Sequence, residues 1–151
     1  MCIRDRVTGW AFSSSPDGEW IVYIGESSTV RRIPAAGGPS EELNDRISSS
    51  PPEVSPDGKW IAVRTWDADA ARWGIDIIPF EGGEPRRRLE LSNAGFRWDP
   101  HADALTCEIF AAGSTNLYRV PLDGGERTQL TFFEGTGVNT CLLYTSDAAD
   151  E

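Results

Sequence analysis

One short phrase occurs twice in this chain, and a weakened copy occurs a third time. Ser15-Pro16-Asp17-Gly18-Glu19-Trp20-Ile21 returns forty residues later as Ser55-Pro56-Asp57-Gly58-Lys59-Trp60-Ile61. Trp98-Asp99-Pro100-His101-Ala102-Asp103-Ala104-Leu105 follows after forty-four more. A second marker interleaves with the first: Ile33-Pro34-Ala35-Ala36-Gly37-Gly38, Ile78-Pro79-Phe80-Glu81-Gly82-Gly83 and Val120-Pro121-Leu122-Asp123-Gly124-Gly125. After each Gly-Gly a polar stretch ends in a leucine, Leu43, Leu89 or Leu130. Self-similarity at such a period means that one supersecondary unit is repeated and stacked.

The chemistry of the unit is local. In Ser-Pro-Asp-Gly, Pro presets φ for a tight turn, Asp bonds nearby backbone, and Gly takes the left-handed conformation that closes a hairpin. A β-branched and aromatic segment follows each turn: Trp20–Tyr23, Trp60–Val63 and Leu105–Ile109. Such segments suit a pleated sheet covered on both faces. Further strands are expected around Val30–Ile33, Ile75–Ile78 and Leu117–Val120, before each turn (Trp10–Phe12, Pro52–Val54, Phe96–Trp98), and up to each closing leucine. Four antiparallel strands per repeat are the signature of a propeller blade, so the expected fold is all-β, with about three four-stranded blades. The third copy has no glycine in its turn, and a different turn geometry is expected there.

The two ends read differently from the rest. Met1-Cys2-Ile3-Arg4-Asp5-Arg6 can be encoded so that its reverse complement, in a shifted frame, translates as Cys141-Leu142-Leu143-Tyr144-Thr145. This shared inverted repeat resembles the end of a transposase-based sequencing adapter, and Ser146–Glu151 fits its translated continuation. Residues 1–6 and 141–151 are therefore expected to be adapter-derived, with the reading frame cut at both ends, and are set aside like a fusion scar. The expected organisation is blades at 7–46, 47–92 and 93–134, with 135–140 opening a next blade. Setting the ends aside leaves Cys107 without a disulfide partner.

The Ser-Pro-Asp-Gly-Lys-Trp-Ile-Ala block, the Pro-x-x-Gly-Gly turn and the closing Leu130-Thr131 together resemble the repeats of TolB-like β-propellers. Rings of that family have about six blades, so the resemblance implies roughly half a ring and a larger parent protein. Such blades occur in periplasmic translocation components, in prolyl-oligopeptidase-type peptidases, and as sensor regions of bacterial Ser/Thr kinases and winged-helix regulators. The wording Arg97-Trp98-Asp99-Pro100, Asn116–Gly125 and Gln129-Leu130-Thr131 is most similar to the sensor propellers. The resemblance implies a non-catalytic module that binds protein or peptide, in a periplasmic or other extracytoplasmic setting. One fold hosts many functions, so the resemblance bears on the scaffold more than on the role.

Candidate chemistry is sparse. The single histidine, His101, sits in a turn, and no nucleophile–base pair, phosphate loop or dinucleotide fingerprint is present. Cys107 reads as a buried or half-buried strand residue, Asp17 and Asp57 as turn formers, and Trp20 and Trp60 as core packing. No cofactor and no metal are expected, and nothing in the sequence points to an oligomer. The net charge is −10, and trimming the ends leaves 12 Lys and Arg against 20 Asp and Glu. That balance argues against nucleic-acid phosphates, and no apolar run is long enough for this segment to cross a membrane. The one stretch that breaks the repeat is Trp66-Asp67-Ala68-Asp69-Ala70-Ala71-Arg72-Trp73, expected as a lengthened loop. Loops on rigid scaffolds carry binding residues, so Trp66, Asp67, Asp69, Arg72 and Trp73 are the candidate contact site. Arg86-Arg87-Arg88 reads as a solvated outer strand. Three blades cannot close a ring, so an isolated 7–140 chain, its outer faces uncovered, is expected to be aggregation-prone or only loosely folded.

Overall fold

The structure is a computed structural model and describes residues 11–91 and 95–135. The expected adapter-derived ends and residues 136–140 lie outside the described residues. Twelve strands run in chain order: β1 (Phe12–Ser14), β2 (Trp20–Ile24), β3 (Val30–Pro34), β4 (Glu41–Asn44), β5 (Glu53–Val54), β6 (Trp60–Asp67), β7 (Arg72–Pro79), β8 (Arg87–Leu89), β9 (Phe96–Trp98), β10 (Ala104–Ala111), β11 (Ser114–Pro121) and β12 (Thr128–Gln129). They form three four-stranded sheets, each built from consecutive strands: β1–β4, β5–β8 and β9–β12. All pairings within the sheets are antiparallel. The first strands of successive sheets approach one another, β1 beside β5 and β5 beside β9, so the sheets stand like blades around a common line. The fold is an all-β propeller portion of three blades.

The repeated turns explain where β2 and β6 begin. Ser15 Oγ accepts the Trp20 N–H at 3.0 Å and donates to Asp17, whose Oδ1 also accepts the Glu19 N–H at 2.9 Å. Ser55 and Asp57 repeat the arrangement at 2.6 Å, with the Trp60 N–H 2.9 Å from Ser55 Oγ. Gly18 and Gly58 close these turns at φ +74° and +71°.

The third turn corrects the sequence expectation. Ala102 takes the same left-handed conformation, φ +58°, and its N–H bonds Asp99 O at 2.9 Å as Gly18 and Gly58 bond Ser15 and Ser55. Asp99 stands in the serine's place and accepts the His101 N–H at 3.0 Å. Arg119 bonds Asp99 at 3.2 Å and Asp103 at 2.8 Å, tying the two sides of the turn together. These contacts offset the cost of a left-handed alanine, about 1–2 kcal/mol.

Opposed residues of an antiparallel pair share a face, and faces alternate along a strand. Ile61, Val63 and Ile78 therefore face the first sheet, where they pack with Val22, Ile24, Val30 and Leu43. Ala62, Ile75 and Ile77 face the third sheet and pack with Phe96, Leu105 and Cys107. The middle sheet is thus covered on both sides, the arrangement its β-branched run demands. At one end of the first interface the Arg32 guanidinium lies 4.5 Å from the Trp20 ring and 5.3 Å from Phe80. Its nitrogens reach Glu41 at 2.9 Å and Glu81 at 2.8 Å. Toward the other end, Thr65 donates to Asp76, and Arg88 bonds Asp76 at 2.8 Å and Thr65 Oγ1 at 2.9 Å. Thr65 and Asp76 are both completely buried. Arg88 is thus an interior residue, which corrects its reading as part of a solvated basic run.

The two outer faces carry apolar groups. Phe12, opposite Tyr23 on the face of the first sheet away from the second, is 73% exposed. Phe110, on the far face of the third sheet, is 68% exposed.

Candidate functional site

The stretch Trp66–Trp73 is a hairpin rather than a long loop. Trp66 pairs with Trp73 and Asp67 with Arg72 as the last rungs between β6 and β7, leaving only residues 68–71 as the turn. The rungs form because the two indoles meet edge to face, 5.4 Å between centroids at 65°, a geometry aromatic pairs favour. Asp67 Oδ1 accepts the N–H groups of Asp69 at 3.1 Å and Ala70 at 3.0 Å, which shapes the turn. The Ala70 N–H bond, outweighing desolvation and helped by the nearby Arg88, holds the Asp67 carboxyl below its usual range. Ala71 closes the turn at φ +49°.

The hairpin does not gather the five candidates into one site. Trp66 and Trp73 share the face that packs toward the third sheet, and Asp67 and Arg72 share the opposite face. Arg72 is paired with Glu90, and Asp67 lies 3.6 Å from Arg88. Asp69 is exposed at the tip. The aromatic half gains Arg64, two residues before Trp66 on the same face, whose guanidinium lies 5.2 Å from the Trp73 ring. Arg64 was legible in principle from the two-residue period of a strand, once the segment is read as a strand. Two indoles, with the Arg64 guanidinium stacked on one of them, form a platform on one edge suited to apolar or aromatic side chains.

The remaining candidates fall where the local chemistry puts them. Cys107 is buried, and desolvation pushes its thiol up to about 12, far from a thiolate at neutral pH. The Ser15 hydroxyl and the Glu19 N–H hold Asp17 below the usual carboxylate range. At Asp57 burial works the other way, but the Ser55 hydroxyl and the Lys59 N–H outweigh it. His101 is an exposed turn residue. Among the described residues no three His, Cys, Asp or Glu side chains gather as metal ligands would.

Comparison with solved structures places this geometry among known folds. Putative TolB from Agrobacterium tumefaciens superposes with a TM-score of 0.68 at 24% identity, over 81% of this chain and 45% of that one. TolB from Acinetobacter baumannii gives 0.63 at 15% identity, over 83% of this chain and 32% of that one. Pyrococcus horikoshii acylaminoacyl peptidase gives 0.67 at 13% identity, over 84% of this chain and 25% of that one. The chain therefore spans less than half the length of each. At these identities the likeness establishes the fold. No protein-family model matches the sequence, and no curated protein does.

Proposed function

We propose that this chain is part of a non-catalytic propeller that binds protein or peptide, as the interaction or sensing module of a larger bacterial protein. A receptor-type Ser/Thr kinase or a transcriptional regulator is the parent that suits it best. On this reading the blades run over 7–46, 47–92 and 93–134, residues 135–140 open a further blade of a ring of about six, and the module works outside the cytoplasm. The observation that carries the reading is the β6–β7 hairpin, which presents Trp66, Trp73 and Arg64 on one edge of a rigid sheet. Aromatic and arginine anchors on a fixed scaffold are what binding hot spots are made of. The experiment is to pan a displayed peptide library on the full chain and rescreen the binders on a Trp66→Ala/Trp73→Ala variant. Loss of at least tenfold in affinity for the selected peptides supports the reading. Peptides that bind the variant equally well remove the hairpin from it.

The likeness to the acylaminoacyl peptidase supports a second reading, a gating propeller of a prolyl-oligopeptidase-type serine peptidase. The likeness to the two TolB structures supports a third, a translocation component of the cell envelope. The flanking gene sequence separates the three. A kinase or winged-helix domain with a membrane span upstream supports the sensor. A downstream α/β-hydrolase domain supports the peptidase, and a signal peptide with a compact N-terminal domain supports the translocation component.

A further inference from the structure

The two interfaces between sheets are built on one plan, and at one place they end differently. In the first, Arg32 sits opposite Val22, Glu41 opposite Arg32, and Phe80 and Glu81 cap the end. In the second, Ile77 takes the position of Arg32, opposite Ala62, and Arg87 takes that of Glu41, opposite Ile77. Leu122 stands in for Phe80: each donates its N–H at 2.9 Å to the residue before the paired strand, Asp103 and Lys59 respectively. Asp123 follows Leu122 as Glu81 follows Phe80.

The exchange empties the centre. Where Arg32, Trp20 and Phe80 fill the first interface, the second holds a cleft of about 430 Å³ lined by Trp60, Ile77, Leu122, Arg86 and Arg87 on the way in from solvent. The Arg86 guanidinium lies 5.2 Å from the Trp60 ring. Arg87 Nε is buried with no hydrogen-bond partner, and Arg87 lies across Gly124, where a Cβ would come within 3.2 Å of its Nη2. Neither arginine makes an ion pair with a described residue. Of the two acids at the rim, Asp103 pairs with Arg119 at 2.8 Å, and Asp123 Oδ1 accepts the Gly125 N–H at 2.8 Å. So the first interface pairs one guanidinium with two carboxylates of its own chain, and in the second two guanidiniums make no ion pair with the two carboxylates at the rim.

A buried donor without an acceptor carries its full desolvation cost, and a carboxylate is the acceptor that fits a guanidinium fork best. The volume lies in the range of about 300–1,000 Å³ typical of small-ligand pockets, with Trp60, Ile77, Ala102 and Leu122 as apolar wall beside the charged Arg86, Arg87, Asp103 and Asp123. We propose that this cleft is a carboxylate-binding site. The acid group lies against Arg86 and Arg87, and an apolar body occupies the space between Trp60, Ile77 and Leu122. The carboxylate belongs to a free organic acid or to an acidic side chain of a bound peptide. The proposal does not rest on the hairpin platform.

The test is surface plasmon resonance on the immobilised full chain. Benzoate and the blocked peptide Ac-Ala-Glu-Leu-Ala-NH2 are titrated, with benzamide and the glutamine form of the peptide as neutral controls. At least one acid should bind ten or more times tighter than its neutral analogue. Arg87→Gln should abolish at least tenfold of that affinity, and exposed Arg86→Gln serves if the first variant folds poorly by near-UV circular dichroism. Arg127→Gln, which removes a guanidinium over Tyr118 outside the cleft, should leave binding unchanged. Binding of benzoate alone assigns the site to free organic acids, and binding of the peptide alone assigns it to acidic side chains. No preference for either acid over its neutral control overturns the proposal, as does an affinity that both cleft variants leave intact.

Discussion

On its side toward the first sheet, the middle sheet buries Thr65, Asp76 and Arg88 in a bonded network, with Arg46 3.9 Å from Asp76. The same register positions of the third sheet, on the face it turns to the middle sheet, hold Ile109, Tyr118 and Gln129. One interface therefore mixes aliphatic packing with interior charge, and the other relies on Leu105, Cys107, Ile109 and Val120 against Ala62, Ile75 and Ile77. Interior ion pairs rarely add stability over an apolar replacement, but removing one partner is costly. The first interface is thus specified by partners that must meet, and the second is held by area removed from water.

The largest expected effect tests that contrast directly. Asp76→Ala leaves Arg88 and Thr65 without their common acceptor and should cost about 3–5 kcal/mol in urea unfolding. Replacing the whole network with apolar groups, with Thr65→Val, Asp76→Leu and Arg88→Met together, should recover most of that loss. A triple variant as unstable as Asp76→Ala would break the comparison. Next comes Arg32→Ala, which removes a guanidinium from between two rings and should cost about 1–3 kcal/mol. Arg86→Ala, at the open cleft of the other interface, should change stability by less than about 0.5 kcal/mol in the same assay.

Ala102→Gly should raise the thermal midpoint, with a gain of about 1 kcal/mol, because glycine holds the left-handed turn without strain. Gly58→Ala should lose a similar amount. The smallest effect is one of pH and belongs to the second interface. Burial pushes Glu53 upward from the ordinary carboxylate value, against the opposing pull of Arg97 from the third sheet and the Trp98 contact. Just above the ordinary value the folded state then holds more proton than the unfolded one, so stability falls as pH rises through that window. Glu53→Gln should remove this slope in denaturation curves taken across mildly acidic pH, and an unaltered slope would place it elsewhere.

How far the sequence could be read depended on the range of the interaction. The Ser-Pro-Asp-Gly turns were legible because every bond in them joins residues within five positions. The third turn was not, since its missing glycine is visible and the compensation by Arg119, sixteen residues from Asp103, is not. Polar residues made Trp66–Trp73 look like a loop, whereas the contact between the two indoles makes it strand. The run Arg86–Arg88 looked uniform, yet alternation sends Arg88 into one interface and Arg87 to the edge of the other. No local pattern announces that Asp76 waits for one of them. Of the candidate site, the aromatic pair was legible, while its separation from Asp67 and Arg72 followed from register.

Each sheet is wound from one unbroken stretch of chain, with strand neighbours that are also sequence neighbours. Pairing within a sheet therefore closes only short loops, and the slow, entropically expensive step is docking one finished sheet on the next. Such a chain assembles as a row of nearest-neighbour events rather than through one global nucleus. The middle sheet, docked on both sides, should be the last to exchange its amide hydrogens with solvent, and protection should fall off toward the sheets that flank it.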